Sequence, residues 1–83
     1  MRQLLRFLFK GGRCKPSIEV GAVFRRTYNN VTEIACVRSV APDSLGIMHV
    51  RFEVDIERGR VVTTCLRTLS LSSFADLYRE RID

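Results

Sequence analysis

Hydrophobic and polar positions change period twice along this chain. Residues 1–10, Met-Arg-Gln-Leu-Leu-Arg-Phe-Leu-Phe-Lys, place Arg2, Arg6 and Lys10 four residues apart, along one side of a predicted short helix. Leu4, Leu5, Phe7, Leu8 and Phe9 cover much of the remainder, and Gly11-Gly12 ends the helix. Residues 11–17 read as a linker in which Pro16 favours extended geometry before it.

From residue 18 the period becomes two. Val20, Ala22, Phe24, Arg26 and Tyr28 share one side of a first predicted strand, with a turn or bulge at Gly21. Asn29-Asn30 predicts a turn, because Asn tolerates left-handed backbone. A β-branched second strand runs from about 31 to 40, and Ala41-Pro42-Asp43-Ser44 reads as a loop. The clearest alternation comes after Gly46. Met48, Val50, Phe52, Val54 and Ile56 point one way, and His49, Arg51, Glu53 and Asp55 the other. One buried and one wet face mark an antiparallel sheet. Gly59 centres a hairpin turn, a fourth strand covers about 60–66, and a fifth short strand is predicted through Leu69 and Leu71. Ser72 or Ser73 is expected to cap a closing helix whose stripe is Phe74, Leu77 and Tyr78, and residues 79–83 are expected to fray.

Composition bounds this picture. Eighty-three residues, 46% hydrophobic and 28% charged, make one small globular domain. The division expected is a basic amphipathic helix and linker over 1–15 and a small β domain over 16–83. The net charge of +5 invites a nucleic-acid reading. All of that excess, however, belongs to Arg2, Arg6, Lys10, Arg13 and Lys15, since residues 16–83 hold nine Arg and nine acids. The basic pI thus describes the N-terminal segment and says little about the domain.

Candidate chemistry is sparse. His49 is the one imidazole, so a nucleophile–base–orienter triad has a single base to draw on, and that base sits on a strand's polar face. Cys14, Cys36 and Cys65 are odd in number and widely spaced, without C-x-x-C, which argues against a disulfide framework or a local metal cluster. Cys36 and Cys65 are expected to pack as small hydrophobes. No phosphate loop is present, and neither a metal nor a cofactor is expected. Glu53 and Asp55 are expected to form a surface ladder with Arg51, Arg58 and Arg60. The apolar stretch over 4–9 is far shorter than a membrane span or a secretory signal, so a cytoplasmic setting is expected.

Gly21-Ala22-Val23-Phe24-Arg25-Arg26, then Val37-x-x-Val40, then Gly46-Ile47-Met48-His49-Val50-Arg51-Phe52 resemble small SH3-like barrel domains of the KOW and Tudor-like outline. The closing Arg67–Phe74 run, with Tyr78, is similar to short bacterial proteins of this build. The resemblance covers about 18–78 and implies an SH3-like antiparallel barrel of four or five strands. Removal of exposed edges in so small a chain also favours a small barrel or a closely related, strongly bent antiparallel sheet. A methyl-lysine cage is not implied, because it needs several exposed aromatics.

The function expected is a non-enzymatic binding or adaptor module that docks a protein or peptide on a sheet face or edge. The working surface is expected to include the polar face around His49, Arg51, Glu53 and Asp55, or the basic segment Arg2, Arg6, Lys10, Arg13 and Lys15. A second expectation is RNA or single-stranded DNA binding, with Arg25 and Arg26 beside Tyr28 as its contacts. A third is membrane-surface association through residues 1–15. The apolar side of that segment could equally cover the sheet or join a homodimer.

Overall fold

The computed structural model describes residues 16–83. The predicted N-terminal helix lies outside the described residues. Two tight turns organise the sheet. Asn29 and Asn30 both have positive φ, 45° and 63°, as the two central residues of a I′ turn require. They join β1 (Val23–Tyr28) to β2 (Val31–Pro42). Gly59 takes φ 64° at the first position of the second turn, which joins β3 (Met48–Arg58) to β4 (Val61–Ser70). Helix α1 (Leu71–Leu77) continues from β4 without a break, and β5 (Glu80–Arg81) ends the chain. The five strands are antiparallel in one sheet of order β4-β3-β2-β1-β5.

This sheet is open. β4 forms one edge and β5 the other, and no pairing joins them among the described residues. The closure into an SH3-like barrel that the resemblance implies is not seen in the ladder. β5 is too short to turn the sheet back on itself, and α1 covers the face that a barrel would enclose.

Alternation in β3 carries over to the core from Val50 to Ile56, which is partly buried, while Met48 at the start of the strand is exposed. Val50, Phe52 and Val54 are fully buried, and their cross-strand partners on β2 and β1 (Ala35, Val37 and Phe24) join them. A bulge interrupts the β2–β3 register between Val37 and Ser39, leaving Arg38 without an opposite residue. One extra residue reverses the side-chain alternation. That reversal is why Val37 and Val40, three apart, both reach the core.

Helix α1 closes this face with aromatic rings. Phe74 packs edge-on against Phe24 (centroids 5.3 Å) and Phe52 (5.0 Å), and stacks on Tyr78 at 4.7 Å. Ser70, not Ser72 or Ser73, is the N-cap; its hydroxyl accepts from the Ser73 N–H at 3.2 Å. The helix starts earlier than the serine run suggests because β4 runs unbroken to Ser70 and leaves no separate fifth strand near Leu69. Leu77, expected in the docking stripe, is exposed, whereas Tyr78 one step on is buried.

Two other expectations change. Pro42 lies in β2 opposite Met48, so the loop begins at Asp43. β1 pairs with β2 only as far as Cys36, so a missing N–H at residue 42 removes no ladder bond to β1. Residues 79–83, expected to fray, instead lie along β1. Arg25 makes a two-point contact with Glu80 at 3.1 and 2.8 Å, and the Val23 N–H donates to Asp83. Arg81 bonds Asp83 and also reaches Glu19.

Candidate functional site

β1 separates the two arginines expected to act together. Successive strand residues point to opposite faces. Arg25 lies on the open face, clasped by Glu80. Arg26 points inward, with its Cζ 4.2 Å from the Tyr28 ring centroid and 5.7 Å from that of Tyr78. Beside it is Glu33, 1% exposed and the one fully buried charged residue among the described residues. Its carboxylate accepts from both tyrosine hydroxyls, Tyr28 and Tyr78, and lies 3.9 Å from the Arg26 guanidinium. Burial pushes the Glu33 carboxyl up, but the two phenols and the charges of Arg26 and Arg67 outweigh it, so it titrates below its ordinary range. Burial and the bond to Glu33 push Tyr78 well above the usual phenol value, and Tyr28 rises too, chiefly through its own bond to Glu33. This cluster joins β1, β2 and the end of α1, and it engages Arg26 and Tyr28 within the protein. Sequence reasoning misses Glu33. Its signal is the alternation of β2, which places residue 33 in line with Val31, Ala35 and Val37 on the inward side.

On the open face the structure does bring His49 and Arg51 together. They line a shallow depression with Ser39 and Asp43 on one side and Thr68 of β4 on the other. Asp43 holds the β2–β3 loop, accepting from the Leu45 and Ile47 N–H groups at 2.8 and 3.0 Å, which with nearby His49 keeps its carboxyl below the ordinary value. His49 Nδ1 lies 2.9 Å from the Ile47 carbonyl and 3.6 Å from Asp43. The expected ladder is not formed. Glu53 pairs with Arg38, the bulge residue, and Asp55 accepts from the Thr64 hydroxyl at 2.7 Å. Arg51, Arg58 and Arg60 therefore have no ion-pair partner among the described residues. Arg2, Arg6, Lys10, Arg13 and Lys15 lie outside the described residues.

The two edges of the sheet contrast. On the β5 side the edge consists of the two residues of β5, bordered by the Arg25–Glu80 and Arg81–Asp83 pairs, and continues along Arg26–Tyr28 of β1, which have no outer strand partner among the described residues. At β4 it is ten residues long, and its outer hydrogen-bonding groups have no strand partner among the described residues. Val61, Val62 and Leu66 stand 64%, 58% and 64% exposed there, and Arg67 is the strand's one charge. Periodicity reveals β4 as a strand but carries no direct sign that it is an edge, since neighbour order depends on where the chain's other strands pack.

Among the described residues no aromatic side chain stands on this surface: Phe24, Phe52, Phe74 and Tyr78 are buried, as expected from the sequence, and Tyr28 lies under Arg26. No group of three or more His, Cys, Asp or Glu among the described residues could hold a metal, and no helix among them is long and apolar enough to cross a membrane. Cys36 and Cys65 are half-buried free thiols on opposite faces, Cys65 packed against the core. Comparison with protein-family models, with curated proteins and with solved structures finds no match.

Proposed function

We propose that this protein is a non-enzymatic binding module that takes an extended protein segment along β4, as an added strand. The observation that carries this reading is the ten-residue edge, unpaired among the described residues, with three exposed apolar side chains. An unpaired edge is a template for another backbone: main-chain hydrogen bonds supply affinity and alternate side chains supply selectivity. The likeness of 21–26, 37–40 and 46–52 to SH3-like domains, small antiparallel folds of the same general class, is in keeping with it. Nucleic-acid binding through Arg25, Arg26 and Tyr28 is less well supported, because Glu80 and Glu33 already engage the two arginines and no aromatic platform is exposed among the described residues.

The test is selection of displayed peptides against the full chain, followed by amide hydrogen exchange. Selected peptides are expected to protect β4 amides and to lose binding when Val62→Lys and Leu66→Lys are introduced, substitutions at exposed positions that leave the core intact. Peptides that protect other surfaces, or that bind the lysine variant unchanged, overturn the reading.

A further inference from the structure

We infer that the segment taken by β4 carries a glutamate seated against Arg51, with apolar and small polar residues along the rest of the strand; this rests on the edge reading above and names the chemistry of its partner. Five positions of β4 face the same side as the open-face depression, Val62, Thr64, Leu66, Thr68 and Ser70, and Ser70 is taken up as the cap of α1, which leaves four for a partner. An added antiparallel strand places its own residues opposite these four. Val62 and Leu66 call for apolar neighbours, and Thr64 between them for a small polar one. Thr68 differs, because it sits directly opposite Arg51 of β3. Arg51 is exposed, lines the depression that Thr68 closes, and has no ion-pair partner among the described residues.

A residue opposite Thr68 lies two strand spacings from Arg51, about 10 Å between backbones. Threonine is short enough to leave that path open, and two long side chains, arginine and glutamate, can meet over it.

The positive charge open to a partner on this face sits at its Thr68 end. By register Arg58 and Arg67 lie on the core face. On the open face Arg51 stands with Glu53, Asp55 and Glu57, of which Glu53 is taken by Arg38 and Asp55 accepts from Thr64, so an acid of the partner is favoured opposite Thr68 and not farther along β4. A second copy of this chain fits poorly. Its β4 has no acid, and pairing Val62 with the partner's Leu66 sets the partner's Arg60 opposite Thr68, beside Arg51. Single-stranded nucleic acid would meet the arginines but would find no exposed ring among the described residues on which to stack its bases. The partner pattern is therefore glutamate, any residue, apolar, any residue, polar, any residue, apolar, read from its N-terminal end.

Two capped peptides test this on the full chain: Glu-Thr-Val-Thr-Thr-Thr-Val and the same sequence with lysine in place of glutamate. The acidic peptide is expected to bind about two- to fivefold more tightly at low salt, the range of one exposed charge pair. Raising ionic strength or introducing Arg51→Gln should level the two while both still bind. Equal affinities in the unsubstituted protein, with β4 amides protected by each peptide, overturn this inference and leave the edge reading standing. Binding of neither peptide overturns both. A single-stranded oligonucleotide that binds, loses affinity with Arg51→Gln and displaces no peptide assigns the arginine to nucleic acid and overturns the inference.

Discussion

The Tyr78 hydroxyl donates to the Glu33 carboxylate across 45 residues of chain, tying the C-terminal end of α1 to the start of β2. A buried carboxylate is costly unless its lone pairs are filled. Here Tyr28 fills the second position and Arg26 supplies charge. Removing Glu33 therefore leaves two phenols and a guanidinium without their acceptor. Glu33→Gln should cost about 1–3 kcal/mol, and Tyr78→Phe about 1 kcal/mol. In a double-mutant cycle read by urea denaturation the two should be strongly non-additive. Additive effects would dissolve the cluster into independent contacts.

The same cluster sets an acid limit. The folded-state pKa of Glu33 lies below its ordinary value of 4.5, so its contribution to stability is complete above that value. It is lost as pH falls from there through the lower folded-state value. The midpoint of urea unfolding should drop over this acid window, and the drop should be smaller in Glu33→Gln.

Tyr78 and Tyr28 act with the opposite sign. Their raised pKa values stabilise the fold below the ordinary phenol value near 10, and this is lost as pH rises through the folded-state values. Phenolate absorbance in the folded protein should therefore appear later than in free tyrosine, and for Tyr78 together with unfolding. Ordinary titration of both rings while the sheet stays folded would contradict the geometry.

Phe74 is the hinge of the aromatic core, touching Phe24, Phe52 and Tyr78. Phe74→Ala should cost about 3–5 kcal/mol, a large share of the stability of a domain this small. Thermal unfolding should move to much lower temperature or vanish. A shift of a few degrees would mean that α1 is dispensable to the sheet.

At the first hairpin, Asn30 has φ 63°. Asn30→Ala should destabilise by about 1 kcal/mol, whereas Asn30→Gly, which suits a I′ turn, should be neutral or stabilising. Equal losses in both would show that the Asn30 side chain, rather than its backbone, matters.

The part of the fold legible in the sequence is the part set by periodicity. The alternation over 48–56 marks β3 and its buried face, and the Asn-Asn and Gly59 turns mark both hairpins. Val37-x-x-Val40 looks like a motif and proves to be the trace of a bulge. The features that escape a sequence reading depend on contacts distant along the chain. Glu33 looks like any strand glutamate until Tyr78 arrives from the far end. Residues 79–83 look like a fraying tail until Glu80 and Asp83 meet Arg25, Val23 and Arg81. Pairing of Arg51, Arg58 and Arg60 with Glu53 and Asp55 is the natural local guess, but Arg38 and Thr64 are the closer neighbours across the ladder. The His49–Arg51 depression is half legible: one strand face supplies both residues, while Ser39 and Thr68 come from strands whose order no local pattern reveals.

The unequal edges bear on assembly. A sheet that could accept strands equally on both sides would let each new chain recruit the next, without limit. Among the described residues the β5 side offers two residues of β5, bordered by arginine–carboxylate pairs, and the outer edge of Arg26–Tyr28 of β1, against ten residues at β4. On the strand-addition reading a segment bound at β4 becomes the new edge, so its own outer side chains decide whether growth stops there.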